Sequence, residues 1–318
     1  MTSITSAPTP RASSSRRVLT WPHLALSVML MVLLAAPTSA APLPAFPDPN
    51  LHACFNEQAA VRGWVNAEDV RELVCVARGI RDLYGIEQLP LLESLDLSGN
   101  LVENLFPLNF GSGISLPNLV SLRLGDNRIF NVDPLQGYTG LHTLWLSGNA
   151  GIDFMQLRPI IEQNPGLTRL GLGDIKLHEP GLPWFNINHA AVIELDISNT
   201  GIEGLWGLEA YTALQVLDAS DNRITDINPL APLFGNLREL RLANNTIMDV
   251  TALANYHALQ TLWLSGNAGI DFLQLQPVID QNPALTRLGL GGIDFRQPSL
   301  PWFNIDRKSG SAGMPRPR

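Results

Sequence analysis

The sequence predicts an α/β solenoid of about ten coils, with a parallel sheet on its concave side, short helices or 3-10 turns on its convex side and a helical N-terminal cap. Two observations predict it. A nine-residue pattern, first clear as Leu92-Glu-Ser-Leu95-Asp-Leu97-Ser-Gly-Asn100, recurs down the chain, and a long block containing that pattern is itself repeated.

The pattern puts apolar residues at positions one, four and six and, in most copies, Asn at position nine. Ten units fit it. Their ninth residues are Arg78, Asn100, Asn127, Asn149, Ile175, Thr200, Asn222, Asn245, Asn267 and Ile293, spaced 22 to 27 apart, which is the length of a leucine-rich repeat. Alternation at positions four and six turns two side chains to the inner face of a short strand, and successive strands stack about 4.8 Å apart. The ninth-position amide is placed to bond the neighbouring coil's backbone where the chain leaves the strand. Ile175 and Ile293 cannot do so and are expected to close their coils by packing, while the Thr200 hydroxyl offers a partial substitute.

Residues 141–187 and 259–305 align without a gap at an offset of 118, with 35 identities in 47 positions. That is a tandem duplication. The repeats, residues 70–305, divide into five-coil modules at about 70–187 and 188–305; the first pair of coils is offset by 122 because the loop Asn109 to Ser115 adds four residues. Each module returns once through a helical segment, Phe154/Leu157/Ile160/Ile161 or Phe272/Leu275/Val278/Ile279. Shorter returns such as Ile224 to Leu230 leave room for one turn of helix. Trp184 and Trp302, in Pro-Trp-Phe-Asn segments, read as packing residues.

Residues 1–40 read as a secretory signal: Arg11, Arg16 and Arg17, an apolar run from Leu24 to Ala36, then Thr38-Ser39-Ala40 as a cleavage site. The run is too short to span a bilayer comfortably, so no stable membrane insertion is expected after cleavage. Residues 41–74 read as a cap. Asp48 is its N-cap, Pro49 its first helical residue and Gly63 its stop, and a second short helix follows Asn66. Cys54 lies on the first helix and Cys75 at position six of the first coil, so a disulfide would pin the cap to the coil; closing a loop of about 20 residues is worth on the order of 3 kcal/mol. Residues 306–318 read as a disordered basic tail.

The formal charge is −8, and without the three leader arginines 29 acidic residues face 18 basic ones, for −11. Nucleic acid is therefore excluded as a partner. No His pair, nucleophile elbow or metal spacing is present, so no catalytic residue and no cofactor or metal is assigned. Asp196 and Asp218 stand on neighbouring coils, but an exposed sheet offers nothing to desolvate such a pair. Asn244-Asn245-Thr246 matches a glycosylation sequon and is set aside because Asn245 is a ladder residue.

Positions three, five and seven face outward. Position five reads Val74, Asp96, Arg123, Trp145, Gly171, Asp196, Asp218, Arg241, Trp263 and Gly289, so Asp, Arg, Trp, Gly occurs twice; the column beside it adds Arg169, Glu194, Glu239 and Arg287. Outward Trp and Arg are residues of binding hot spots. Two readings stand together here: a partner-binding surface, or a column that satisfies itself, each Arg stacked on its own Trp, Asp96 and Asp218 pairing with the arginines, and Gly171 and Gly289 making room for the rings.

The repeats, the I-x-D-I-x-P-L returns and Phe46-Pro-Asp-Pro-Asn-Leu51 ahead of them resemble exported bacterial leucine-rich repeat proteins of the internalin-like kind. The resemblance covers residues 46 to about 305. It implies a secreted or periplasmic, non-enzymatic scaffold that recognises a protein or glycoprotein through its concave face. It does not extend to wall-anchoring or ligase modules. The alternative is a structural envelope protein that self-associates through an uncapped C-terminal end.

Overall fold

The computed structural model describes residues 41–109, 116–177 and 190–293. Ten three-residue strands form one parallel sheet in sequence order: β1 (Glu72–Val74), β2 (Ser94–Asp96), β3 (Ser121–Arg123), β4 (Thr143–Trp145), β5 (Arg169–Gly171), β6 (Glu194–Asp196), β7 (Val216–Asp218), β8 (Glu239–Arg241), β9 (Thr261–Trp263) and β10 (Arg287–Gly289). Equivalent positions are in register, so that Asp96, Arg123, Trp145, Gly171 and Asp196 follow one another across five strands. Each strand buries its middle residue, from Leu73 to Leu288, and position six packs beside it, from Cys75 to Leu290. One coil has a single apolar stripe to hide, and only stacking hides it.

The polar interior is closed by the ninth-position amides. The Asn100 side-chain nitrogen donates to the carbonyls of Cys75 on the preceding coil and Leu97 on its own, both at 2.7 Å, while its oxygen accepts from the Arg78 and Ile80 backbone N–H groups at 2.9 and 3.0 Å. Asn127, Asn149, Asn222, Asn245 and Asn267 repeat this bridge. Thr200 replaces it only in part: its hydroxyl donates to Ile197 in its own coil at 2.8 Å, and the link back to coil five is made by its backbone carbonyl, which accepts from Leu177. Ile175 and Ile293 are buried. The sequon's acceptor position is Asn244, not the buried ladder residue Asn245, so burial does not exclude the motif; Asn244 is exposed and donates to Asp221 at 2.8 Å.

Helices occur where the sequence supplies a cap. In α1 (Pro49–Arg62) the Asp48 carboxylate accepts from the N–H groups of Asn50 and Leu51, Pro49 occupies the first turn and Gly63 ends the helix at φ 73°. Asp48 also accepts from Arg81 and Asp82 on the first coil. Leu51, Cys54, Phe55 and Ala59 share one core with Leu73 and Cys75, and Cys54 and Cys75 are disulfide-bonded, with Cα atoms 5.9 Å apart. The segment after Asn66 is a 3-10 turn, Ala67–Asp69, rather than a helix.

The longer returns form α2 (Phe154–Glu162) and α3 (Phe272–Gln281), each capped by an Asp and each burying the four apolar residues of its stripe. Both end at an unforeseen second buried amide. Asn164 donates to Tyr138 on the neighbouring coil at 2.6 Å and to Ile160 at 2.7 Å, and accepts from Leu141 at 2.8 Å. Asn282 makes the matching bond to Val278 at 2.5 Å, but on the neighbouring coil it donates to Leu253 at 2.8 Å rather than to Tyr256, the equivalent of Tyr138. Among the described residues, shorter returns form 3-10 turns, as at Asn228–Leu233.

Candidate functional site

The outer face of the sheet carries every residue predicted to contact a partner, and backbone register fixes their order. Trp145 and Trp263 are half-buried rather than upright. Each indole leans towards the following coil and lies against a glycine: a Cβ on Gly171 would overlap the Trp145 ring, and one on Gly289 would overlap the Trp263 ring. Gly125 lies close on the other side of Trp145, where a Cβ would stand 3.1 Å from Cδ1. The column thus makes room for two flat rings, with four strands between them.

The arginines beside the rings behave differently. Arg123 stands over Trp145 at 5.8 Å from the ring centroid. Arg241 instead pairs with Asp218 at 3.2 Å and Glu239 at 2.6 Å. Burial opposes its charge, yet the hydrogen bond to Asp218 and the negative charges of Glu239 and Asp218 outweigh that and raise its pKa. Asp96 accepts from the Ser98 backbone N–H at 3.0 Å and, among the described residues, forms no ion pair with Arg123. The expectation of two matching Arg-on-Trp stacks therefore holds in the first module only.

Arg169 pairs with Glu194 at 3.1 Å. Asp196 accepts from Ser147 at 2.6 Å and from the Ser198 hydroxyl and N–H at 2.7 and 3.0 Å; Ser147 in turn accepts from Gly173. Arg287, on β10, is exposed and makes no ion pair among the described residues. Sequence reasoning missed Ser147 and Ser198, although both stand at position seven beside the column. It also missed exposed apolar residues on the returns. Phe130 and Met155 are matched at the duplication offset by Met248 and Leu273, and Trp206 is 53% exposed with its ring over Gly204. Pro-Trp-Phe-Asn at 183 and 301 lies outside the described residues. Among those described, no group of His, Cys, Asp and Glu could hold a metal ion.

Residues 235–278 match the family Leucine Rich repeats (2 copies). Internalin C2 from Listeria monocytogenes is similar in structure: 28% identical, covering 71% of this chain and 99% of that one, with a TM-score of 0.56. The fold is a leucine-rich repeat solenoid. Two curated relatives are similar to part of this chain. Leucine-rich repeat-containing protein 56 of Rattus norvegicus is 28% identical over 138 residues, 38% of this chain and 25% of that protein. Asporin of Bos taurus is 27% identical over 160 residues, 49% of this chain and 42% of that protein. The matches span less than half of either relative. Leucine-rich repeat solenoids commonly mediate protein–protein binding, and none of these matches indicates a catalytic family. No helix among the described residues is long and apolar enough to cross a membrane.

Proposed function

We propose that this chain is a secreted or periplasmic scaffold without catalysis, which binds a protein or glycoprotein through the outer face of its sheet. Residues 1–40 act as its export signal and 41–74 as its N-terminal cap. The observation that carries the reading is the twice-built ring site. A half-buried indole on an outward position covers no core, and its glycine shelf holds it in one orientation at little entropic cost on binding. Asp96, Arg123, Arg169, Glu194, Asp196, Asp218, Glu239, Arg241 and Arg287 surround the two rings with charge that sets orientation and partner choice.

The test is capture of envelope and host-surface proteins by residues 41–318 beside the Trp145→Ala/Trp263→Ala variant, with folding checked by circular dichroism. A specific partner held by the native chain and lost by the variant supports the reading. Equal capture by both contradicts it and moves the site to the returns. Self-association through the C-terminal end is the competing account, since β10 has only β9 as a strand neighbour among the described residues; it predicts mass that grows with concentration in sedimentation.

A further inference from the structure

The duplication contains its own control. Arg123 and Arg241 occupy the same place in the two modules, beside the same indole and the same glycine. In the first module the guanidinium lies over the ring, whereas in the second it is held by two carboxylates. Of the sequence differences around the pair, which include Ala243 for Gly125 beside the ring and Val216 for Ser94, one changes the charge within reach of the guanidinium. Asp96 and Asp218 are equivalent, but Glu239 stands where the first module has Ser121. Asp96 alone does not capture Arg123, and a serine hydroxyl cannot hold a guanidinium as a carboxylate does. Glu239 is therefore what draws Arg241 away from Trp263.

Trp263 is left with one side against Gly289 and, among the described residues, no cation over its ring. The π-face of an indole attracts a cation. Arg123 on Trp145 shows the stacked arrangement made within the chain, and the net charge of −8 favours a basic partner. We propose that Trp263 receives an arginine or lysine side chain of a protein partner, in the position over the ring that Arg123 takes over Trp145. The two copies are then unequal, one filled in cis and one open in trans, with Glu239 as the residue that keeps the second open. This rests on the sheet-face reading above and names the chemistry of the partner.

The probe is a tetra-arginine peptide amide, titrated while the indole Nε1–H resonances of 15N-labelled residues 41–318 are followed, with Trp145 and Trp263 assigned through Trp→Phe variants. The Trp263 resonance is expected to shift saturably and the Trp145 resonance to stay in place. Arg123→Ala opens the first site, so Trp145 then shifts as well. Glu239→Ser lets Arg241 cover Trp263, and the Trp263 shift is lost while the rest of the spectrum is kept. A tetra-aspartate peptide moves neither. Equal movement of both indoles in the native chain, no movement of Trp263, or a Trp263 shift unaltered by Glu239→Ser overturns the proposal. If the double Trp variant loses its partner while the peptide moves nothing, only the basic-ligand assignment fails.

Discussion

Asn100 satisfies four backbone groups with one amide: two carbonyls accept its N–H bonds and two N–H groups share its oxygen. Replacing it by Ala leaves those buried groups without partners, each at about 1 to 3 kcal/mol before relaxation. Asn100→Ala is therefore expected to destabilise by about 3 kcal/mol or more in urea unfolding, whereas Asn245→Thr, which copies the arrangement at Thr200, costs less. Asp48 carries a comparable load at the other kind of joint. Burial alone would raise its pKa, but the backbone N–H groups of Arg81, Leu51, Asp82 and Asn50 outweigh burial and lower it. A lowered carboxyl stabilises the fold above its unfolded pKa of about 3.9 and loses that contribution as pH falls through the folded value. Asp48→Asn should flatten the acid limb of stability below about pH 4, and Asp48→Ala should cost about 1 to 2 kcal/mol at neutral pH through the lost cap; an unchanged acid limb in Asp48→Asn would contradict this. The ladder amides were legible in the sequence because they repeat at one position. Asn164 and Asn282 were not, because their position lies outside the nine-residue pattern, although their recurrence before Pro at the duplication offset was a usable signal.

Among elements, α1 depends on its tie to the first coil. Its N-cap carboxylate reaches that coil and its Cys54 is bonded to Cys75. Cys54→Ser/Cys75→Ser is expected to lower stability by about 3 kcal/mol in the chain-entropy account, with faster hydrogen exchange over 49–62 than over the central strands. The strands and the two helical returns followed from periodicity alone, and α1 from its capping residues. The short returns and the segment after Asn66 form 3-10 turns, where a few residues between coils leave no length for i to i+4 bonding. The Trp shelves were legible as an outward Gly beside an outward Trp. The fate of Arg241 was not, because it is decided by competition between a ring and two carboxylates on three strands. Gly289→Ala tests the shelf: the added methyl overlaps the ring, so Trp263 must tilt, and indole fluorescence is expected to move towards the exposed range with little loss of stability. Unchanged emission would mean that the glycine does not set the ring's position.

For the whole molecule, ten in-register strands turn a short sequence motif into a continuous surface, and duplication places the same ring site on it twice. The modules repeat head to tail along one sheet, so both sites point the same way and a single extended partner can meet both. The fold was readable because every coil obeys the same spacing, while the partner was not, because the scaffold constrains which positions face outward and not what meets them. The two copies of the site have diverged, at Ser121 and Glu239 and at Gly125 and Ala243 among others, and their arginines take different partners. The central claim is that recognition uses this face. It is tested most directly by the dissociation constant of a captured partner for native residues 41–318 and for folded Trp145→Ala/Trp263→Ala. Loss of at least about 2 kcal/mol, roughly thirty-fold in affinity, is what hot-spot aromatics predict; an unchanged constant would contradict the account.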